Sequence, residues 1–134
     1  MTVEIKATVR ASFVLFLVAA AAPAIASNCA PPTTTMARTE LLFGASRVSD
    51  AQWKRFLARE VTPRFPNGLT AFEGYGQWKS PRGAIRKERS RILLLWHLED
   101  AFSDSKIEAI RTAYKTQFRQ RSVMRVDGED CVSF

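Results

Sequence analysis

Ile85-Arg86-Lys87-Glu88-Arg89-Ser90-Arg91-Ile92-Leu93-Leu94-Leu95-Trp96-His97-Leu98 is the stretch on which the fold turns. It begins charged and ends in an unbroken apolar run, Ile92 to Trp96. A run that is apolar at every position suits a strand buried on both faces, so a central strand is predicted here. Just upstream, Leu69 to Trp78 reads as a second strand, with Gly74 and Gly76 weakening it or marking a bulge. Ser80-Pro81-Arg82-Gly83 between them carries the residues of a hairpin turn.

Working outward, Thr39 to Gly44 reads as a short strand ended by glycine. Ser49 then has Gln52 three residues on, which is a capping box, and Val48 with Trp53 can form a hydrophobic staple. Trp53, Phe56, Leu57 and Val61 recur at helical spacing until Pro63 stops the helix, and Phe65-Pro66-Asn67-Gly68 makes a turn. A second helix is predicted from Asp104 or Ser105, with Ser105-x-x-Glu108 as its capping box and Ile107, Ile110, Tyr114 and Phe118 as its apolar stripe. Val123 to Asp127 reads as the last main strand, with Cys131 to Phe134 a short extension after Gly128.

The order strand, helix, strand, strand, helix, strand predicts an α+β fold. Right-handed crossovers make it ferredoxin-like βαββαβ, a four-stranded antiparallel sheet with two helices on one face. The first and third strands are then central and the fourth lies beside the first. Strand three is apolar on both faces, Ile92, Leu94 and Trp96 opposite Leu93 and Leu95. The helices cover only one face, so a homodimer through the open sheet face is predicted.

The first residues give the compartment. Lys6 and Arg10 precede the apolar run Phe13 to Ala22, and Ala24-Ile25-Ala26 follows as a small-residue cleavage site. That order predicts a secretory signal peptide over residues 1–26, cleaved after Ala26. The apolar run falls short of the roughly 20 residues a spanning helix needs, and Pro23 interrupts it, so no stable membrane span remains. Asn28 before Cys29 also fits a lipid-anchored form poorly. A periplasmic or secreted protein is expected, with residues 27–37 an extended leader and 38–134 a single domain.

Cleavage leaves 108 of the 134 residues and, with Lys6, Arg10 and Glu4 gone, lowers the formal charge from +7 to +6. A basic chain raises nucleic acid as a partner, but export makes nucleic acid an improbable one. Anionic lipid headgroups, envelope polysaccharides or acidic proteins are the available partners, and solubility alone is the plainer account of the charge. Cys29 and Cys131 are expected to pair as a structural disulfide, because thiols in an oxidising compartment pair and the fold brings the first and last strands together. No Cys-x-x-Cys motif suggests redox chemistry.

Several short motifs recur in one order: Arg38 to Gly44, Glu60 to Thr70, Gly76-Gln77-Trp78, Glu88-Arg89-Ser90, Tyr114 to Phe118, Ser122 to Val126 and the closing Cys131-Val132-Ser133-Phe134. On these the chain resembles a family of exported bacterial proteins, domain of unknown function 3574, over nearly all of residues 38–134. The resemblance implies the fold and export, and it carries no catalytic residue with it.

Candidate chemistry is sparse. Lys79, Arg82, Arg86, Lys87, Arg89 and Arg91 crowd the second hairpin with Glu88 as their one acid, and clustered guanidinium groups bind carboxylate, sulfate or phosphate. The plain alternative is a solvated hairpin whose charge discourages edge pairing. His97 is the single histidine and a candidate general base or haem ligand, although a strand-end histidine also serves as a hydrogen-bonded structural residue. Tyr75, Trp78 and Trp96 are candidates to line a pocket between sheet and helices, or to fill the core. No second histidine or cysteine pair offers metal-ligand spacing, and no cofactor motif is present. These residues favour a binding or interaction module with a basic hairpin surface. The rival is a small cofactor-independent enzyme, with His97 as base and Tyr75 or Trp78 holding an aromatic or apolar substrate.

Overall fold

The computed structural model describes residues 29–134; the predicted signal peptide and its cleavage site lie outside the described residues. Strand β1 spans Thr34–Gly44, helix α1 Asp50–Phe56, strand β2 Thr70–Lys79, strand β3 Ile85–His97, helix α2 Ser103–Phe118 and strand β4 Val123–Val132. They form one four-stranded sheet in the order β2-β3-β1-β4, antiparallel throughout. This is the ferredoxin-like arrangement, with Ile92 to Trp96 in a central strand as expected.

Ser49 starts α1 as predicted. Its hydroxyl accepts the Gln52 N–H at 3.3 Å while the Gln52 side chain accepts the Ser49 N–H at 2.9 Å. The helix then widens into a π-helical turn over Leu57–Val61, in which the Thr62 N–H reaches back to the Leu57 carbonyl, and Pro63 follows. Helix α2 starts differently from the prediction. It begins at Ser103, and Ser105 and Glu108 make no capping box. Asp100 takes the capping role instead, its carboxylate accepting the Phe102 N–H at 2.8 Å and the Ser103 hydroxyl at 3.1 Å.

The first and last strands are longer than the sequence patterns suggest. β4 runs unbroken through Gly128 to Val132, and β1 begins at Thr34, so part of the expected leader is sheet: Thr34 pairs with Val132 and Thr35 with Cys131. Gly128 does not end the strand; it makes room for a side chain. The Arg38 guanidinium lies over it on its way to Asp130 at 3.0 Å, and a Cβ at position 128 would meet that guanidinium at 2.9 Å. The Cys29–Cys131 disulfide closes this end of the sheet across a sequence separation of 102.

Alternation along the strands sends Leu41, Phe43, Leu93, Leu95 and Val123 against the helices. Trp53, Phe56 and Val61 meet them from the α1 side and Ile107, Ile110 and Tyr114 from α2. Phe43, Trp53, Phe56 and Tyr114 form an aromatic cluster, mostly edge-to-face or tilted, with ring centroids from 4.5 Å for Phe43–Tyr114 to 6.2 Å for Phe43–Phe56.

Candidate functional site

The register places the other face of the sheet in rows. Met124, Leu42, Ile92 and Phe72 form one row that is apolar across β4, β1, β3 and β2 in turn. Val126, Glu40, Leu94 and Thr70 form the next, with Arg38 and Trp96 beyond them. Both helices lie on the opposite face, so these side chains stay open: Phe72 is 47% exposed, Met124 60% and Val126 41%. The strands that frame the rows carry ions at both ends. Arg38 pairs with Glu40 and Asp130 at one end, where the Trp96 indole N–H also donates to Asp130 at 2.8 Å. Arg86 and Glu88 lie at the other, opposite Trp78 and Gly76. Apolar centre and polar margin is the anatomy of a protein interface.

The hairpin cations do not form one cluster. Arg89 and Arg91 point to the helix side, where Glu73 and Asp50 receive them. Arg89 lies 2.6 Å from Glu73 and 2.7 Å from Asp50, and Arg91, which is buried, bonds to the same two carboxylates beneath the Trp53 ring. Hydrogen bonds from Arg91 and then Arg89 hold the Asp50 carboxyl below the usual range, and those from Arg89 do the same for Glu73. Both arginines are internally neutralised. Arg86 and Lys87, adjacent in sequence, fall on opposite faces, the first beside Trp78 and the second beside Gln77. Two cations that the hairpin motif omits join the same end. Arg119 and Arg121, in the turn after α2, line a cleft of about 610 Å³ together with Gln77, Trp78 and Glu88. Only the folded chain brings that turn to the hairpin.

The aromatic candidates separate too. Tyr75 is 92% exposed on the helix side of the hairpin, while Trp78 and Trp96 lie on the open face, so no pocket between sheet and helices is lined by all three. They are not core residues either. His97 lines a cleft of about 510 Å³ between the end of β3, α2 and β4, together with Thr39, Glu99, Ser103, Arg125 and Asp127. Its Nδ1 lies 3.1 Å from the Leu98 carbonyl, and that acceptor calls for an N–H there. Its Nε2 lies 3.5 Å from the buried Thr39 hydroxyl, which donates to Asp127 at 2.9 Å. With Nδ1 as donor, Nε2 is left as an acceptor facing the Thr39 hydroxyl, whose proton is already given to Asp127, on the wall of this cleft. The Arg125 guanidinium in the same cleft is taken up by Asp104, Glu108 and Asp127. Among the described residues no group of three or more His, Cys, Asp or Glu is placed to hold a metal ion, and no helix is long and apolar enough to cross a membrane.

Residues 38–134 match the family model described as protein of unknown function (DUF3574). The chain belongs to this family. No curated protein matches it in sequence. Among solved structures, this DUF3574 chain is similar to a phage SAM lyase in complex with S-methyl-5'-thioadenosine, at a TM-score of 0.55 and 15% identity over 83% of this chain and 95% of that one. It is also similar to CutA from Synechococcus elongatus PCC7942, at a TM-score of 0.53 and 11% identity over 75% and 82% of the two chains. At such identities the likeness extends to the fold, which both comparisons share with this DUF3574 member.

Proposed function

We propose that this DUF3574 protein is an exported binding module that works as a homodimer, joined through the uncovered face of its sheet. The observation that carries the reading is the row Met124–Leu42–Ile92–Phe72, apolar across all four strands and without a covering layer in the single chain. A second copy is the occupant the face suits best. A twofold axis lying across the strands stacks that row on its own copy and brings the Asp130 end of one sheet over the Arg86 end of the other. Export is supported by the leader pattern and by the Cys29–Cys131 bond, which needs an oxidising compartment. Binding is preferred to catalysis because the Arg125 guanidinium beside His97 is already held by Asp104, Glu108 and Asp127 and is not free to act with it.

Light scattering on residues 27–134 tests the dimer. The protein is expected to elute at twice its chain mass, and Met124→Glu with Val126→Glu to give a folded monomer, since both positions are exposed and neither supports the core. A wild-type monomer at high concentration would sink the reading.

A further inference from the structure

We infer that the β2–β3 hairpin tip and the turn after α2 form one end of the molecule that docks on an anionic bilayer surface. The inference stands on the single chain: in the proposed dimer the partner's Asp130 end would lie over Arg86 and Trp78, and the helix-side Tyr75, Lys79, Ile85 and Lys87 with Arg82 would still meet the bilayer. Its first support is charge. Among the described residues eleven Lys or Arg side chains have no ion-pair partner, and six of them, Lys79, Arg82, Arg86, Lys87, Arg119 and Arg121, crowd the hairpin and the turn beside it; the other five, Arg47, Lys54, Arg55, Arg59 and Lys115, are spread over the helices and the loop before α1. At the opposite end of the sheet the carboxylates of Asp100, Asp104, Asp127 and Asp130 are instead taken up by Lys106, Arg125 and Arg38. A negatively charged plane attracts the first end more than the second, which orients the molecule.

The second support is where the apolar groups sit. Past Gly74 the hairpin is a two-stranded arm that outruns the core. It exposes large side chains on both of its faces, Tyr75 (92%) and Ile85 (63%) on the helix side and Trp78 (51%) on the other. Its cations are divided likewise, Lys79 and Lys87 on one side and Arg86 on the other. A folded protein partner would cover one face of such an arm. A headgroup layer surrounds an inserted tip and meets both. Tryptophan and tyrosine favour that boundary, and lysine or arginine beside them bind anionic headgroups.

The third support is Arg119. It ends α2 in the left-handed region at φ 53°, a position that glycine ordinarily takes because other side chains are strained there. Arginine at that position places a cation at the mouth of the cleft beside Trp78.

Sedimentation of residues 27–134 with vesicles of 30% phosphatidylglycerol in phosphatidylcholine, at low salt, tests the proposal. Binding is expected to these vesicles, to vanish with pure phosphatidylcholine and to fall steeply in high salt. The triple variant Arg82→Ser/Arg86→Ser/Lys87→Ser alters exposed positions only; it should keep the native circular dichroism and bind roughly 100-fold more weakly. Trp78→Phe should abolish any blue shift of tryptophan emission on binding. Equal binding by the triple variant, equal binding to neutral vesicles, or retention on heparin without vesicle binding would each overturn it. Because Met124→Glu/Val126→Glu tests the dimer separately, its vesicle binding shows which of the two inferences has failed.

Discussion

Tyr114 shows how much one side chain holds in place. Its ring closes the aromatic cluster under the sheet, and its hydroxyl donates to the Gly44 carbonyl at 2.9 Å, tying α2 to the end of β1. Burial pushes the phenol up to about 12 from 10.0. The folded protein thus keeps this proton at pH values where the unfolded chain has released it. Tyr114 therefore contributes its full stability below pH 10, and that contribution is lost as pH rises from 10 towards 12. Denaturant midpoints from pH 8 to 12 should fall along this limb in the wild type and fall less in Tyr114→Phe. At neutral pH the variant should be weaker by about 1 kcal/mol, because the Gly44 carbonyl loses its donor. Parallel alkaline limbs in the two proteins would refute the assignment. The stripe Ile107, Ile110, Tyr114 and Phe118 is legible in the sequence because it rests on helical spacing alone. The hydrogen bond is not, since it joins residues 70 positions apart.

The same contrast decides which elements could be read. The α1 capping box is local, and it forms as written. At α2 an equally good local pattern, Ser105-x-x-Glu108, does not form. The chain leaving β3 already turns through Asp100 and Ser103, and Glu108 is drawn to Arg111 and Arg125 instead. Strand ends depend on partners in the same way: Thr34 to Ala37 look like a leader until β4 supplies Glu129 to Val132 opposite them. The hairpin cations were misleading for a register reason. Glu73 sits opposite Arg91 and α1 presents Asp50, so charges crowded in sequence are sorted by pairing into ion-paired groups on the helix side and unpaired, solvent-facing ones. Asp100 makes the α2 case testable. The hydrogen bond from Lys106, then that from the Phe102 N–H, holds its carboxyl down to about 2 from 3.8. Its stabilising contribution is thus present above pH 3.8 and is lost as pH falls through 2. Asp100→Ala should lower the melting midpoint at pH 7 by several degrees, and the deficit should narrow toward pH 2. Ser105→Ala should leave the midpoint nearly unchanged, and the reverse ranking would show that the predicted box caps the helix after all.

At the scale of the whole molecule the disulfide has two separable effects. It joins the residues just before β1 to the far end of β4 across a sequence separation of 102, so nearly the whole described chain is one closed loop. In the chain-entropy account such a loop deprives the unfolded state of roughly 4–5 kcal/mol of freedom, a large share of a small domain's stability. It also pins the β1–β4 pairs nearest the chain ends, Thr34 with Val132 and Thr35 with Cys131. The double variant Cys29→Ser/Cys131→Ser should therefore lose several kcal/mol in denaturant unfolding. The contacts of Leu41, Leu93 and Tyr114 lie elsewhere, so it should keep its native circular dichroism. Hydrogen exchange separates the two effects. Amides of Thr34 to Ala37 should lose protection by local fraying, beyond the global loss, whereas those of Leu41 and Leu93 should fall only by the change in global stability. If both sets fell equally, the bond would act through the unfolded chain alone. If neither fell, the cross-link would contribute nothing to the fold.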